Sequence, residues 1–176
     1  MKDHLTLFKE IGKLKRTDRE GWKRLGVEDV ESVADHSFRC AFIAMLVGEK
    51  LNVDISRLVK MLLVHDIPEV KIGDLTPSDG IDERKKRVME RNGLESLLEG
   101  TSSPIKDELI ELWDEFENGE SKEAALARDI DKLEMIIQAR EYQERYTEKD
   151  FSEFLIPEEI ETEEVKTLID DLKIEL

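Results

Sequence analysis

Residues 60–77 read KMLLVHDIPEVKIGDLTP. Leu58, Met61, Leu62 and His65 recur at the spacing of one helical face, so the stretch begins as an amphipathic helix. Pro68 pushes Ile67 away from helical geometry, which ends that helix near Asp66 and forces the chain to turn. An imidazole and a carboxylate, His65 and Asp66, therefore close an otherwise apolar segment. Burying two such groups costs on the order of several kcal/mol unless something opposite compensates them. The rest of the chain has to supply that compensation.

Outward from this stretch the pattern is helical throughout. Towards the N-terminus, a helix is expected from Asp54, its N-cap, to Asp66, preceded by one from Val33 to Leu51 with Ser32 as N-cap and Asp35 three residues on. The apolar residues of that second helix run nearly all the way round it, which predicts a place in the middle of the molecule. A first helix spans about Leu5 to Lys15, followed by the irregular RTDREGWKRLGVEDVES. Towards the C-terminus, GDLTPSDG is a loop, and a charged helix covers about Asp82 to Arg91 before GLESLLEG. Further helices cover Pro104–Phe116 and Lys122–Arg145, and Pro157 opens a helical tail over residues 155–176. No β-type alternation, repeat or linker interrupts this. The expectation is an all-α, single-domain helical bundle spanning residues 1–176.

The chain carries 43 acidic against 27 basic side chains, a formal charge of −16, so most of its surface repels a polyanion and a nucleic-acid partner is not expected. A small phosphate ester remains admissible, because one metal ion and one or two cations invert a field locally. Cys40 is the only cysteine and lies in an apolar run, so no disulfide framework exists. The start, MKDHLTLFKE, carries no apolar signal core, and the longest apolar run, CAFIAMLVG, is too short to span a bilayer. These features lead to the expectation of a soluble, cytoplasmic protein without a membrane partner.

Three histidines are present, and His4 lies near the terminus. His36 shares a helical face with Cys40, Ile43 and Val47, and His65 continues the face of Leu58, Met61 and Leu62. Singly, each reads as a core histidine with a satisfied ring. Together, each beside an aspartate (Asp35-His36 and His65-Asp66), they suggest ligands. A third carboxylate stands in ALARDIDKLEMIIQA, where Leu126, Ile130, Leu133 and Ile137 mark a buried stripe. Asp131 borders that stripe, while Asp129 points more to the charged side. Asp131 reads equally as a surface residue paired with Lys132 or Arg128. A divalent cation answers the burial problem, since it satisfies two imidazole nitrogens and two carboxylates at once. Neighbouring residues on a helix point about 100° apart, so His65 and Asp66 reach one ion only at a helix end, which Pro68 supplies. Four protein ligands on an octahedral ion leave positions for water and substrate.

The ordered set His36, His65-Asp66, Asp131 resembles the H…HD…D signature of the HD-domain phosphohydrolases. ESVADHSFRCA, LVHDIPEVKIGDLTP and ARDIDKLEMIIQA resemble in particular the 5′-deoxynucleotidase branch, over about Gly12 to Tyr142. The resemblance implies hydrolysis of deoxynucleoside 5′-monophosphates, one divalent ion and a homodimer; the sequence does not identify the ion, since two nitrogens with two or more oxygens suit cobalt, manganese, zinc, iron or magnesium in varying degree. The resemblance further implies that Glu69 handles the nucleophilic water and that Asp74, with Thr76 beside it, lines the phosphate and sugar site. Trp22 matches a tryptophan near the sugar. Some relatives place an arginine directly before that tryptophan; here REGW puts Gly21 there, leaving Arg19 as the nearest substitute and Arg24 as the other. Without the resemblance, Glu69 reads as a solvent-facing residue after a turn, Asp74 as a loop closer and Trp22 as a packing hydrophobe. Two other functional readings stand beside it. One is an HD-type hydrolase of nucleoside triphosphates, cyclic nucleotides or alarmones; the other is a non-catalytic module stapled by its metal.

Overall fold

The computed structural model describes residues 2–155 and 160–174. Among them the chain forms α1 (Lys2–Ile11), a 3-10 turn (Gly12–Arg16), α2 (Glu20–Arg24), α3 (Val33–Gly48), α4 (Ile55–Val64), α5 (Glu69–Ile72) and a second 3-10 turn (Pro77–Asp79). There follow α6 (Glu83–Leu97), α7 (Ser103–Asn118), α8 (Lys122–Arg145), a third 3-10 turn (Ser152–Phe154) and α9 (Glu163–Ile174). The all-α expectation holds. An isolated bridge between Asp18 and Ser32 is the one β feature among the described residues, and none of their helices is long and apolar enough to cross a membrane.

Local chemistry sets the ends that matter. Ser32 and Asp35 form a reciprocal capping box on α3, so Asp35 is spent on the cap and not on a site. The Asp54 carboxylate accepts the Arg57 N–H at 3.0 Å and starts α4. That helix stops at Val64, and Pro68 opens α5 after the turn through residues 65–68. Ser121 caps α8 by accepting the Ala124 N–H at 3.0 Å.

α8 is the central element. Leu126, Ile130, Leu133 and Ile136 pack with Cys40 and Ala44 of α3, Leu58, Met61 and Leu62 of α4, and Leu112 and Phe116 of α7. Ile160, Val165 and Ile169 bring the C-terminal tail onto this core. Val64, Leu94, Leu98 and Trp113 form a second cluster joining α4, α6 and α7. There the Trp113 indole N–H donates to the His65 carbonyl at 3.1 Å, pinning the end of α4. A third cluster, around Trp22, Tyr142 and Phe151, closes the opposite end.

Several expectations need correction. α3 is not buried all round: Phe38, Phe42, Met45 and Leu46 are each more than half exposed, whereas its buried face is built from His36, Ser37, Cys40, Ala41, Ala44 and Gly48. Small residues let α4 and α8 come close, and the large ones are left outside. The charged helix α6 runs six residues beyond the expected Arg91, to Leu97. Gly93 lies inside it with helical backbone and packs on α5, where a Cβ would stand 3.4 Å from the Pro68 carbonyl, so the glycine does not break the helix. α1 stops at Ile11 and continues as a 3-10 turn. Pro157, expected to open the tail, lies outside the described residues; α9 begins at Glu163.

Asp129 is also not on a charged exterior face. It is buried, and its carboxylate accepts the N–H of Glu161 at 3.1 Å and of Thr162 at 2.6 Å, anchoring the start of α9 to α8. Asp129→Ala leaves those amides without their acceptor, and urea denaturation should register a loss of about 2 kcal/mol. An unchanged midpoint would mean that the tail is held by its apolar contacts alone.

Candidate metal centre

Three helices bring their polar side chains to one point. His36 closes the first turn of α3, His65 and Asp66 follow the last residue of α4, and Asp131 lies midway along α8. His36 Nε2 is 2.9 Å from Asp131 Oδ1 and 3.7 Å from Asp66 Oδ2. His65 Nε2 is 3.2 Å from Asp66 Oδ2 and 3.8 Å from Asp131 Oδ1. Both imidazoles are buried, while Asp131 is partly open to solvent. The turn after Val64 achieves what a continuous helix could not, letting two consecutive residues face the same point.

His36, His65 and Asp131 each bring one donor atom within 4.8 Å of the others, a spacing that a divalent ion spans, and Asp66 Oδ2 stands beside the two imidazoles. At bond lengths of about 2.0–2.2 Å, donors on adjacent corners of an octahedron stand about 3 Å apart and opposite ones about 4 Å. The observed separations lie within or close to that span. His65 Nδ1 faces the Leu62 carbonyl at 2.8 Å; a carbonyl only accepts, so Nδ1 carries a proton and Nε2 is the nitrogen available to a metal. His65 Nε2 and Asp66 Oδ2 are buried with no hydrogen-bond partner, an arrangement that is costly unless a cation takes both. Two nitrogens and two oxygens suit cobalt, manganese, zinc or iron, and magnesium less well.

A cleft of about 520 Å³ opens beside these atoms, with Arg19, Trp22, Glu69, Asp74 and Lys86 on its walls. Arg19, immediately before α2, holds Nη1 3.5 Å from Asp66 Oδ2. Burial works against its charge, but Asp66, Asp74, Asp131 and Glu69 outweigh that and keep it protonated. Burial also works against ionisation of Asp66, yet His65, His36 and Arg19 hold its carboxyl far below the usual range. Glu69 goes the other way: burial, then Asp66 and Asp74, push its carboxyl well above the usual range, and its Oε2 has no hydrogen-bond partner. Asp74 follows Gly73, whose φ of 76° suits glycine, and it accepts the Glu20 N–H at 2.6 Å. Burial raises its carboxyl too.

Two of the residues named from sequence are engaged elsewhere. The Thr76 hydroxyl donates to Asp79 at 3.0 Å, and Arg24 meets the same Asp79 at 2.7 Å. The Thr76–Asp79 bond closes the loop of residues 74–79 on itself, and the Arg24–Asp79 and Glu20–Asp74 bonds clasp it to α2. Trp22 is buried, spends its indole N–H on Glu31 at 2.9 Å and packs on Phe154 with ring centroids 4.2 Å apart, so its packing role is real even though it also lines the cleft.

Sequence reasoning missed Glu134 and Arg39, which lie behind His36, and Lys86 and Glu90 of α6, which wall the cleft. Burial pushes the Glu90 carboxyl up to about 7 against the pull of Lys86. The signal for Glu134 was its place three residues after Asp131, one turn along the same face of α8.

A family model described as an HD domain matches residues 11–169. The 5′-deoxynucleotidase HDDC2 of Dictyostelium discoideum is 40% identical over 152 residues, covering 82% of this chain and 80% of that protein. The 5′-deoxynucleotidase YGK1 of Saccharomyces cerevisiae is 34% identical, covering 92% and 78% respectively. Among solved structures, a conserved hypothetical protein from Pyrococcus furiosus superposes with a TM-score of 0.82 at 34% identity, covering 97% of each chain.

The two aspartates of α8 give a sharp contrast. Asp131→Ala should weaken cobalt binding, measured by calorimetry, beyond the roughly 10–100-fold that loss of an outer-shell partner costs. Asp129→Ala should leave it near the unaltered value. Equal effects of the two would remove Asp131 from the ligand set.

Proposed function

The chain belongs to the HD-domain family, and from that premise we propose that it is a metal-dependent phosphomonoesterase, hydrolysing deoxynucleoside 5′-monophosphates to deoxynucleosides and phosphate. The names of its relatives support that substrate class. His36, His65, Asp66 and Asp131 hold one divalent ion. When bound, that ion supplies Lewis acidity, polarising the phosphate and acidifying a water. The observation that carries the reading is the open cleft beside the donor atoms, with an arginine and a carboxyl of raised basicity on its walls. A metal that only stapled three helices would need neither.

In this reading the Arg19 guanidinium receives the phosphate, using the fork geometry that suits two phosphate oxygens. Arg24 is committed to Asp79 and leaves that role to Arg19. Glu69 orients the attacking water and takes its proton, for which a raised affinity for protons is an advantage. Asp74 is assigned to the sugar side, where its carboxyl can return a proton to the departing 5′-oxygen. Thr76 acts indirectly, by fixing the loop that carries Asp74, and Trp22 gives the sugar an apolar wall.

A chain with a net charge of −16 suits a small-molecule substrate rather than a polyanion or an anionic membrane. We assign it to the cytoplasm, where the buried Cys40 stays a thiol, and treat residues 1–176 as one unit, because the tail packs on α8. The assembly assigned is a homodimer across the exposed apolar stripe Phe38, Phe42, Met45 and Leu46 of α3. Sedimentation should return a dimer for the unaltered chain and a monomer for Phe42→Glu; a dimeric variant would move the interface elsewhere.

Phosphate release across deoxynucleoside and ribonucleoside monophosphates, after stripping and restoring each cation, tests the activity. Deoxynucleotides should turn over and ribonucleotides lag. Glu69→Gln should cut kcat at least about 100-fold, within the range general-base catalysis contributes, with cobalt content and Tm nearly unchanged. No phosphate from any deoxynucleotide with any divalent metal would favour the stapled module, and turnover of triphosphates or cyclic nucleotides instead would favour the other HD-type hydrolases.

A further inference from the structure

Behind the candidate ligands lies a polar group that the reaction scheme leaves unused. Glu134 is fully buried on α8, one turn beyond Asp131. Its Oε2 makes a close contact with His36 Nδ1, and its Oε1 accepts the Arg39 Nε–H at 2.7 Å. Arg39 is itself fixed from three sides: its terminal nitrogens donate to Gln138 Oε1 at 2.6 Å and to both oxygens of Glu141 at 2.8 and 3.0 Å. The guanidinium has no acceptor capacity, so the Glu134 oxygen on its side must accept.

We propose that Glu134 is a positioning residue for the metal, holding His36 as the Nδ1–H tautomer so that Nε2 faces the ion, and that Arg39 fixes the polarity with which Glu134 does so. A carboxylate only accepts, so the His36 nitrogen against it must carry the proton. That leaves the other nitrogen, the one 2.9 Å from Asp131 and 3.7 Å from Asp66, to supply a lone pair. The assignment rests on the ligand role of His36 proposed above. Cys40, Glu134 and His36 also stand within ligand distance of one another. Arg39 already occupies Glu134 from the other side, however, which makes this group a support for the first site rather than a second one.

The arrangement has a consequence that size and charge alone would not give. In Glu134→Gln the Arg39 donors select the amide oxygen, which turns the NH2 group towards His36. Nδ1 must then accept, the proton moves to Nε2, and the metal-facing nitrogen is blocked. Removing the arginine frees the amide to turn round. Arg39→Met should therefore rescue the glutamine variant while giving no comparable gain beside the native glutamate.

Cobalt affinity of the full chain, measured by calorimetry and visible absorption for the unaltered protein, Glu134→Gln, Arg39→Met and the double variant, tests this. Glu134→Gln should weaken binding roughly 10–100-fold, and Arg39→Met should recover several-fold in that background alone. Full affinity in Glu134→Gln would overturn the proposal. So would an equal factor from Arg39→Met in both backgrounds, which would indicate simple charge effects. If the unaltered chain binds no cobalt, the ligand reading itself fails and takes this one with it. A measurement needing no variant is the nitrogen-15 imidazole spectrum of the zinc-loaded chain. His36 should show a protonated Nδ1 and a metal-shifted Nε2, and the reverse pattern would overturn the proposal.

Discussion

Two imidazoles and two carboxylates meet in the interior with ring nitrogens 2.9 to 3.8 Å from carboxylate oxygens, and the fold is arranged around making that tolerable. Without a cation, His65 Nε2 and Asp66 Oδ2 make no hydrogen bond and face each other and the Arg19 guanidinium at ion-pair distance only. Burial compensated no better than this costs on the order of several kcal/mol, a large share of what a domain of this size can spare. The helices that supply the donors, α3, α4 and α8, are also those whose apolar faces make the main core. The candidate metal centre and the core are therefore one arrangement: shifting α8 against α3 would part Asp131 from His36 and unpack Ile130 and Leu133 together.

Around this point the cleft is built from short, tied pieces. α2 and the loop of residues 74–79 have little core of their own, and hydrogen bonds take its place: Glu20 to Asp74, Thr76 to Asp79, Arg24 to Asp79. Trp22 anchors α2 from beneath through Tyr142, Phe151 and Phe154. Such a wall keeps Arg19 and Asp74 beside the donor atoms while leaving the mouth open to a ligand of nucleotide size.

How much of this was legible in the sequence depends on what each residue is asked to reveal. Caps are local, so Ser32 with Asp35, and Asp54, marked the starts of α3 and α4, and Lys122–Arg145 was delimited residue for residue. The convergence of His36, His65, Asp66 and Asp131 rested on a resemblance in spacing, since no local rule tells which helices will meet. Exposure was the weak point. The large side chains of α3 lie outside because its neighbours need small ones, a fact of packing that periodicity does not carry. Asp129 read as an exterior charge, and Glu134 went unremarked, because partners distant in sequence satisfy them: the Glu161 and Thr162 amides for the first, His36 and Arg39 for the second. The length of α6 was missed for a related reason, as Gly93 is buried within the helix against α5 and does not reverse the chain.

The central claim is that one divalent ion sits where these four side chains meet. Crystals grown with cobalt, with diffraction recorded on either side of its absorption edge, test it most directly. The account predicts one strong anomalous peak within bonding distance of His36 Nε2, His65 Nε2, Asp66 and Asp131. A cobalt-saturated crystal with no peak there, or with the ion held by other residues, would contradict it.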